Sequence, residues 1–145
     1  MRRDGNCLPN AVVGSSTDLG LSTHTVPTMR QLTQDVIDEH FEYFRECYGE
    51  GETVYLTNYI TRMGRWYRSP HIRALAIATR RDILVIQVAS YPRMAGTLYS
   101  GSVDVREHGD RIIPSNRIRA LLMHDVVPVY LHQSHFVGVG RIVPT

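Results

Sequence analysis

The sequence predicts an α+β fold in which helices precede, and pack around, a small β-sheet that is assembled mostly late in the chain. Two observations lead to this prediction. The first half of the chain carries apolar side chains at helical spacing, whereas the second half carries runs rich in β-branched residues. The 145 residues suffice for one core of useful size, and no repeat or break in composition divides them. We therefore predict a single domain over residues 1–145.

The helices follow from cap residues and apolar periodicity. The predicted helices are a short one that starts at Cys7 with Asn6 as its cap, a long one over 29–48, an amphipathic one over 53–63, one that opens at Ser69-Pro70, and a helical turn over 117–123. A loop rich in Gly, Ser and Thr precedes the long helix, and Gly49 ends it. The long helix has the most regular apolar repeat of the set.

Three strands follow from β-branched runs. Residues 83–88 form a continuous apolar run that predicts a buried strand. Residues 126–131 and 136–143 predict an antiparallel hairpin whose tight turn covers 132–135. Residues 90–116 are interrupted by Gly and Pro, and they indicate at most one strand, near 103–105.

Composition excludes several classes of protein. The chain is 43% hydrophobic and 21% charged, which is typical of a globular protein, and neither a membrane span nor a secretory signal is visible. The net charge of +2 is too small to indicate nucleic-acid binding. Two cysteines suggest neither a disulfide framework nor a metal site, and nothing predicts a cofactor. We expect a protein of a reducing compartment, the cytoplasm.

Cys7 has the surroundings of a reactive cysteine. At the N-terminus of a helix, backbone N–H groups and the helix dipole favour the thiolate, which is the nucleophilic form. The preceding Asp4-Gly5-Asn6 can turn its amides toward the same point and so stabilise an oxyanion. The alternative is an inert, buried thiol, and this is the role that we expect for Cys47 on the long helix.

A nucleophilic cysteine needs a base, which is usually a histidine. The chain offers His24, His40, His71, His108, His124, His132 and His135. The helical His40 and His71 are expected to be structural or exposed, and the loop residues lack neighbours that would orient them. His132 and His135 flank the predicted hairpin turn, where a rigid scaffold presents side chains at a sheet edge. The residues alone leave the choice between these two open.

The motif Asp-Gly-Asn-Cys at 4–7, followed by Leu8, resembles the nucleophile motif of the ovarian-tumour (OTU) family of papain-like cysteine proteases, most of which are deubiquitinases. A chance match to those four residues is expected about once in a few thousand chains of this length. Three later segments are similar to segments of the family in order and spacing, namely the helix over 29–44, the Gly-x-Trp, helix and strand over 59–88, and the strand, turn and His-aromatic pair over 127–139. The resemblance covers residues 4–139.

The resemblance implies roles for the residues of the site. His135 with Phe136 matches the family's His-aromatic pair, so His135 is the implied base and His132 its runner-up. Asp4 belongs to the implied active site, with Gly5 and Asn6 in the oxyanion loop. Many members have Asp or Asn two residues after the histidine, but this chain has Val137 there. Two arrangements stay open: another polar residue such as Asn116 orients the ring, or the enzyme works as a dyad helped by Asp4.

The resemblance also places Trp66 beside the substrate cleft, although a core aromatic is an equal alternative. Tyr67-Arg68 stands where the family usually has Gly-Gly, and this stretch borders the implied channel for the substrate tail. The stretch between Arg62 and Arg81 is rich in Arg, but its arginines form no single helical stripe. Nucleic acid is therefore the third choice of partner, behind a protein substrate.

All sixteen basic side chains of the chain are Arg, and none is Lys. A GC-rich genome, which favours Arg codons, accounts for this on its own. The functional alternative is that a chain without Lys offers no side-chain amine as an acceptor for ubiquitin, because the guanidinium stays protonated. That alternative fits an enzyme that works among ubiquitin ligases.

The implied activity is hydrolysis of the peptide or isopeptide bond after the C-terminus of ubiquitin or a ubiquitin-like modifier, in a viral or bacterial effector. Ubiquitin is accordingly the expected partner, and neither a membrane nor a metal is expected to take part. A protease that processes a viral polyprotein is the first alternative. A catalytically silent module that binds ubiquitin is the second, since Val137 cannot orient a histidine.

Overall fold

Helices pack on both faces of one sheet in this computed structural model, which describes Leu8 and residues 25–63, 65–90, 93–102, 110–123, 126–132 and 135–138, with the backbone alone at 88–90, 93–94, 132 and 135–138. The helices are α1 (Val26–Glu39), α2 (Phe41–Tyr48), a 3-10 helix (Glu50–Tyr55), α3 (Ser69–Thr79) and α4 (Ser115–Leu122). The strands are β1 (Asp82–Ser90), β2 (Arg93–Tyr99), β3 (Asp110–Ile113), β4 (Val126–His132) and β5 (His135–Gly138). Within these residues, no helix is both long and apolar enough to cross a membrane.

The sheet has the strand order β3-β2-β1-β4-β5. The central strands β1 and β4 run parallel, and the outer pairs are antiparallel. Side chains of β1 alternate between two cores, with Ile83 and Val85 on one face and Leu84 and Ile86 on the other. A strand buried on both faces reads as a continuous apolar run, which is why 83–88 could be predicted. The α+β prediction is confirmed.

The prediction of one long helix over 29–48 is wrong in one respect, because this segment consists of two helices, α1 and α2. At His40 the backbone leaves helical angles, with φ −120° and ψ 36°. The His40 N–H still donates to Val36 O at 3.0 Å, and the Phe44 N–H donates to His40 O at 3.1 Å, so the chain bends without unwinding. Ile37 and Phe44 on either side of the bend are fully buried in one cluster. The apolar repeat is continuous across a break that neither Gly nor Pro marks.

The amphipathic helix predicted over 53–63 is also wrong. The 3-10 helix ends at Tyr55, and the chain then turns repeatedly up to residue 63. Leu56 and Ile60 are fully buried, as their spacing indicated. Asn58, however, adopts φ 53°, a left-handed conformation that ends any helix and that Asn tolerates better than most residues. The apolar period was correct for burial and misleading for backbone conformation.

The remaining elements agree with the sequence more closely. α3 begins at Ser69 with Pro70 in its first turn, although the cap is Arg68. α4 includes the predicted helical turn, and β4 and β5 form the predicted hairpin, with His132 and His135 as Cα partners. β2 and β3 were not predicted. The strand expected at 103–105, and the end of the second hairpin strand, lie outside the described residues.

Two cores hold the sheet between helical layers. On one face, Leu8, which is itself helical, packs with residues of α1, α3 and the central strands. On the other face, Ile118 and Leu122 of α4 pack on Leu84, Ile86 and Leu98. α1 and α3 contact each other along their length, and a third cluster joins them to α2 and Leu56. The face that carries Leu8 is the one on which the candidate site is built.

Candidate active site

A cleft of about 470 Å³ opens where the beginning of α3 faces the sheet. Its helical side is formed by Tyr67, Arg68, Ser69, Pro70 and Ile72, its strand side by Val85, Tyr99 and Leu131, and its rim by Tyr48 and Glu52. The Ser69 and Tyr99 hydroxyls lie 3.3 Å apart and join the two sides. The described lining contains no Cys or His, so it contributes shape and charge rather than a nucleophile or a base.

Leu8 connects the predicted nucleophile motif to this cleft. Its side chain is 1% exposed and belongs to the same apolar cluster as Tyr67, Ile72 and Val129, and Leu131 packs against that cluster. Leu8, the residue that follows Cys7 in sequence, is therefore fixed in the core that backs the cleft. Cys7 and the loop residues Asp4, Gly5 and Asn6 lie outside the described residues.

The hairpin that carries both candidate bases also adjoins the cleft. Leu131 lines the cleft and is the Cα partner of Phe136, and the next pair outward is His132 with His135. His132 therefore stands one position beyond the cleft wall along β4, and His135 is its Cα partner on β5. Val137 is the Cα partner of Tyr130. The fold brings the cleft wall, the neighbour of Cys7 and the backbone of His135 into one region.

Asn116 is placed elsewhere. It is exposed in the first turn of α4, on the face of the sheet opposite Leu8. Two residues later, Ile118 packs so closely on β2 that a Cβ built at Gly96 would lie 3.3 Å from it. β2 is three strands from β5, which corresponds to about 14 Å at the usual strand spacing. Asn116 therefore stands near the β2 side of the sheet, while the alternative, a dyad helped by Asp4, stays a prediction because Asp4 lies outside the described residues.

Trp66 is 39% exposed, so it is not the core aromatic of the alternative prediction. The cleft is lined by its two successors, Tyr67 and Arg68, rather than by the indole. Sequence reasoning noted these two residues as replacements of Gly-Gly but did not assign them side-chain roles. The replacement of Gly-Gly by Tyr67-Arg68 was the feature of the sequence that could have indicated that these side chains line the cleft.

Tyr67 points into the core and is held there by α1. Its hydroxyl lies 3.1 Å from Thr33 Oγ1, and the Arg30 guanidinium lies over its ring at 5.4 Å. Burial raises the pKa of Tyr67 to about 12, so the phenol stays protonated. The same guanidinium donates to Ile60 O and to Arg65 O, both at 2.9 Å. Arg30 thereby clamps the segment that leads into the cleft.

Arg68 forms the charged rim of the cleft together with Glu52. Its Nε and Nη2 donate to the two carboxylate oxygens at 2.9 and 2.8 Å, and its guanidinium lies 4.1 Å from the centre of the Tyr55 ring. These hydrogen bonds from Arg68 lower the pKa of the Glu52 carboxyl. The geometry is the bidentate one that fixes a guanidinium plane.

His71 joins the start of α3 to the 3-10 helix. Its Nδ1 accepts the Arg68 N–H at 2.9 Å, so its proton is on Nε2, which donates to Tyr55 O at 2.8 Å. The ring stacks on Tyr59 and meets Tyr67 edge-on. Burial lowers the pKa of His71 to about 4, and the ring is neutral. The predicted structural role of His71 is confirmed. Among the described residues, no three side chains of His, Cys, Asp or Glu are grouped as metal ligands would be.

Solved structures share this architecture. An OTU deubiquitinase from Wolbachia pipientis wMel matches with a TM-score of 0.66 and 16% identity over 97% of this chain and 85% of its own. The viral OTU domain protease from Dera Ghazi Khan virus gives 0.61 and 15%, over 94% and 74%. The OTU domain of OTUD1 gives 0.59 and 17%, over 92% and 77%. At these identities the likeness shows the fold.

Sequence comparison supplies the family. No curated protein sequence matches the chain. The family model described as "OTU-like cysteine protease" matches residues 2–111, which is most of the chain and includes the segment around Cys7. The resemblance found in the motifs is thereby confirmed: the chain belongs to the OTU-like cysteine protease family.

Proposed function

We propose that the protein hydrolyses the peptide or isopeptide bond that follows the C-terminus of ubiquitin or a ubiquitin-like modifier. The observation that carries the proposal is the position of Leu8. This residue follows Cys7 in sequence and is buried in the core behind the cleft. The strand β4, which lines the cleft through Leu131, pairs with β5, which begins at His135. The two structural relatives named as deubiquitinase or protease, from a bacterium and a virus, support the same class of reaction.

In the proposed mechanism, the Cys7 thiolate attacks the carbonyl carbon at the end of the modifier, after His135 has taken the thiol proton. Backbone amides of Asp4, Gly5 and Asn6 hold the oxyanion of the tetrahedral intermediate. His135 returns the proton to the leaving amine as the C–N bond breaks, which leaves a thioester on Cys7. Water, activated by His135 as base, then attacks the thioester. The C–S bond breaks, which releases the modifier with a free carboxylate and restores the Cys7 thiolate.

Val137 gives the proposed site its particular form. A valine side chain cannot accept a hydrogen bond from the imidazole, and Asn116 is exposed on α4, which packs on the face of the sheet opposite Leu8. We therefore assign orientation of His135 to the sheet and charge balance to Asp4. The proposal further takes residues 1–145 as one catalytic domain that acts in the cytoplasm, or in the host cytoplasm for a viral or bacterial effector, with no cofactor and with ubiquitin as partner.

The test is a ubiquitin probe with a thiol-reactive group at its C-terminus. We expect a covalent adduct with the wild type, none with Cys7→Ala, and a slowed or abolished reaction with His135→Ala. Cys47→Ala is the matched control, because Cys47 is a second thiol, half-buried on α2, and its loss should leave the adduct unchanged. His132→Ala distinguishes the runner-up base, and it should react nearly as fast as the wild type.

A folded wild type that forms no adduct would contradict the ubiquitin assignment. In that case the second candidate function is a module that binds ubiquitin without cleaving it, and Val137 supports this function because it cannot orient a catalytic histidine. Binding of unmodified ubiquitin, with an ordinary reactivity of Cys7 toward small thiol reagents, would favour this module. Reactivity of Cys7 without ubiquitin binding would favour a protease that cleaves other sequences, such as a viral polyprotein.

A further inference from the structure

The segment before and within α3 has an unusual charge composition. Residues 53–81 include six arginines and neither Asp nor Glu. Arg73 is fully buried, and it donates to carbonyl oxygens of Ser100 and Ser102. Arg62, Arg65 and Arg68, by contrast, are exposed. Only the last of these three has a carboxylate partner among the described residues, namely Glu52.

A groove of about 310 Å³ lies on this exposed part, distinct from the catalytic cleft. We define the Arg–Tyr surface as the groove and the residues that line it, Val54, Tyr55, Thr57, Asn58, Tyr59, Arg62 and Arg65. Val54 is 71% exposed, which is high for an apolar side chain. The surface combines apolar and aromatic groups with two arginines that no described acid neutralises.

The aromatic part of the Arg–Tyr surface is held in a fixed arrangement. Tyr55 and Tyr59 meet edge-on with centroids 5.2 Å apart. The Arg65 guanidinium lies 5.7 Å from the Tyr59 centroid, and the other packing partner of this ring is His71, stacked at 5.1 Å. The carbonyl of Arg65 is held by Arg30. A surface that is ordered before binding loses little side-chain entropy when a partner docks.

We propose that the Arg–Tyr surface binds a protein segment that combines Asp or Glu with apolar side chains. The enrichment of Arg and Tyr, and the absence of acidic residues, is the composition of interface hot spots. Arg62 and Arg65 would pair with carboxylates of the partner, and Val54 would contact its apolar side chains. The inference concerns binding outside the cleft, and it does not depend on the proposed hydrolysis.

The geometry favours an acidic protein over a single-stranded nucleic acid. Recognition of single strands relies on open aromatic faces on which bases stack. Tyr59 lies between Arg65 and His71, and Arg68 covers Tyr55, so these rings are already engaged. Two uncompensated charges are also few for a surface that follows a phosphate backbone. An exposed valine beside the arginines suits an apolar side chain of a protein.

The experiment selects displayed random peptides on the folded wild-type protein and measures the binding of enriched peptides by fluorescence anisotropy. We expect enrichment of Asp and Glu together with apolar residues. Binding should weaken about tenfold or more in the double variant Arg62→Gln/Arg65→Gln, and also in Val54→Ser. Arg117→Gln/Arg119→Gln is the matched control, because both arginines are exposed on α4 on the other face of the sheet and should leave binding unchanged.

All of the substituted side chains are exposed, and circular dichroism of each variant verifies the fold. Selected peptides without acidic enrichment, or acidic peptides that bind both double variants equally, would overturn the proposal. Oligouridylate RNA serves as the second probe. If it binds more tightly than the peptides, with a steep salt dependence that is lost in Arg62→Gln/Arg65→Gln, the surface is a nucleic-acid site and the proposal is wrong.

Discussion

Replacing Arg30 by Met tests whether one buried guanidinium holds the wall of the cleft in place. The side chain is fully buried in α1, and it donates to Ile60 O and Arg65 O at 2.9 Å each. It also lies over the ring of Tyr67, which lines the cleft. Methionine has a comparable length and fits an apolar site, but it has no donor. Arg30→Met therefore leaves both carbonyls without this partner.

The magnitude follows from these two hydrogen bonds. Each bond to a charged group contributes about 1.5–3 kcal/mol, so about 3–6 kcal/mol is lost. Removing a buried charge recovers part of this loss, because its desolvation no longer opposes folding. We expect the free energy of unfolding to fall by about 3 kcal/mol, which at the usual denaturant dependence lowers the urea midpoint by about 1–3 M.

Urea unfolding followed by fluorescence of Trp66 and circular dichroism measures this change. Arg30→Lys keeps the charge but not the fork of donors, and it should lie between Met and the wild type. Arg117→Met is the control, because the same change at an exposed position should alter stability by less than about 0.5 kcal/mol. If Arg30→Met is no more destabilising than Arg117→Met, Arg30 does not clamp the segment and the reasoning is refuted.

Three further predictions concern individual contacts. His71, with a pKa of about 4 in the fold against an ordinary 6.5, contributes stability that is present above pH 6.5 and lost as pH falls through 4. This amounts to about 3 kcal/mol, and the slope of the free energy of unfolding across that window should be shallower in His71→Phe by the contribution of this one group. Glu52→Gln should change the free energy of unfolding by less than about 1 kcal/mol, because the pair with Arg68 stays partly exposed to solvent, and a larger loss in urea would show a structural ion pair. Gly101→Ala should lower the melting temperature more than Gly96→Ala does. A Cβ at position 101 would lie 2.8 Å from the backbone of Arg81, whereas a Cβ at position 96 would lie 3.3 Å from the side chain of Ile118. The reverse order of melting temperatures would contradict this packing.

The sequence predicted elements whose signal is local. The unbroken run of β1 and the Ser-Pro start of α3 lie within a residue or two of the structure, because burial on both faces and a first-turn proline each leave a direct mark on sequence. The bend at His40 and the left-handed Asn58 leave no such mark. Both depend on how Phe44, Leu56 and Ile60 reach buried positions, which is decided by tertiary packing.

β2 was missed for a different reason. Its Gly96 lies against Ile118 of α4, where there is little space for a side chain, so a residue that indicates a turn in sequence is here a packing requirement. β3 is a short edge strand whose Ile112 is 84% exposed, and its alternation is therefore weak. The contacts that explain both strands lie far away in sequence.

The candidate site, like the fold, could be predicted from the sequence only in part. Cys7 and His135 were predicted from the chemistry of a motif and from family resemblance, and they stay predictions, since the described residues establish only the positions of their neighbours. The cleft lining was not predictable, because it combines α3, three strands and the rim residue Glu52. Its charge pattern arises from pairing between Glu52 and Arg68, sixteen positions apart.

The replacement of Gly-Gly by Tyr67-Arg68 shows how the cleft wall is stabilised without glycine. Two glycines would leave the backbone free and the wall open, whereas here each side chain has its own partners. Tyr67 packs under the Arg30 guanidinium and reaches Thr33, and Arg68 stacks on a tyrosine and pairs with Glu52. Substitution of both positions by Gly would therefore remove two side chains together with their contacts to two other elements, α1 and the 3-10 helix. The wall of this cleft is held by side-chain contacts, so its shape is coupled to the stability of α1 and of the 3-10 helix behind it.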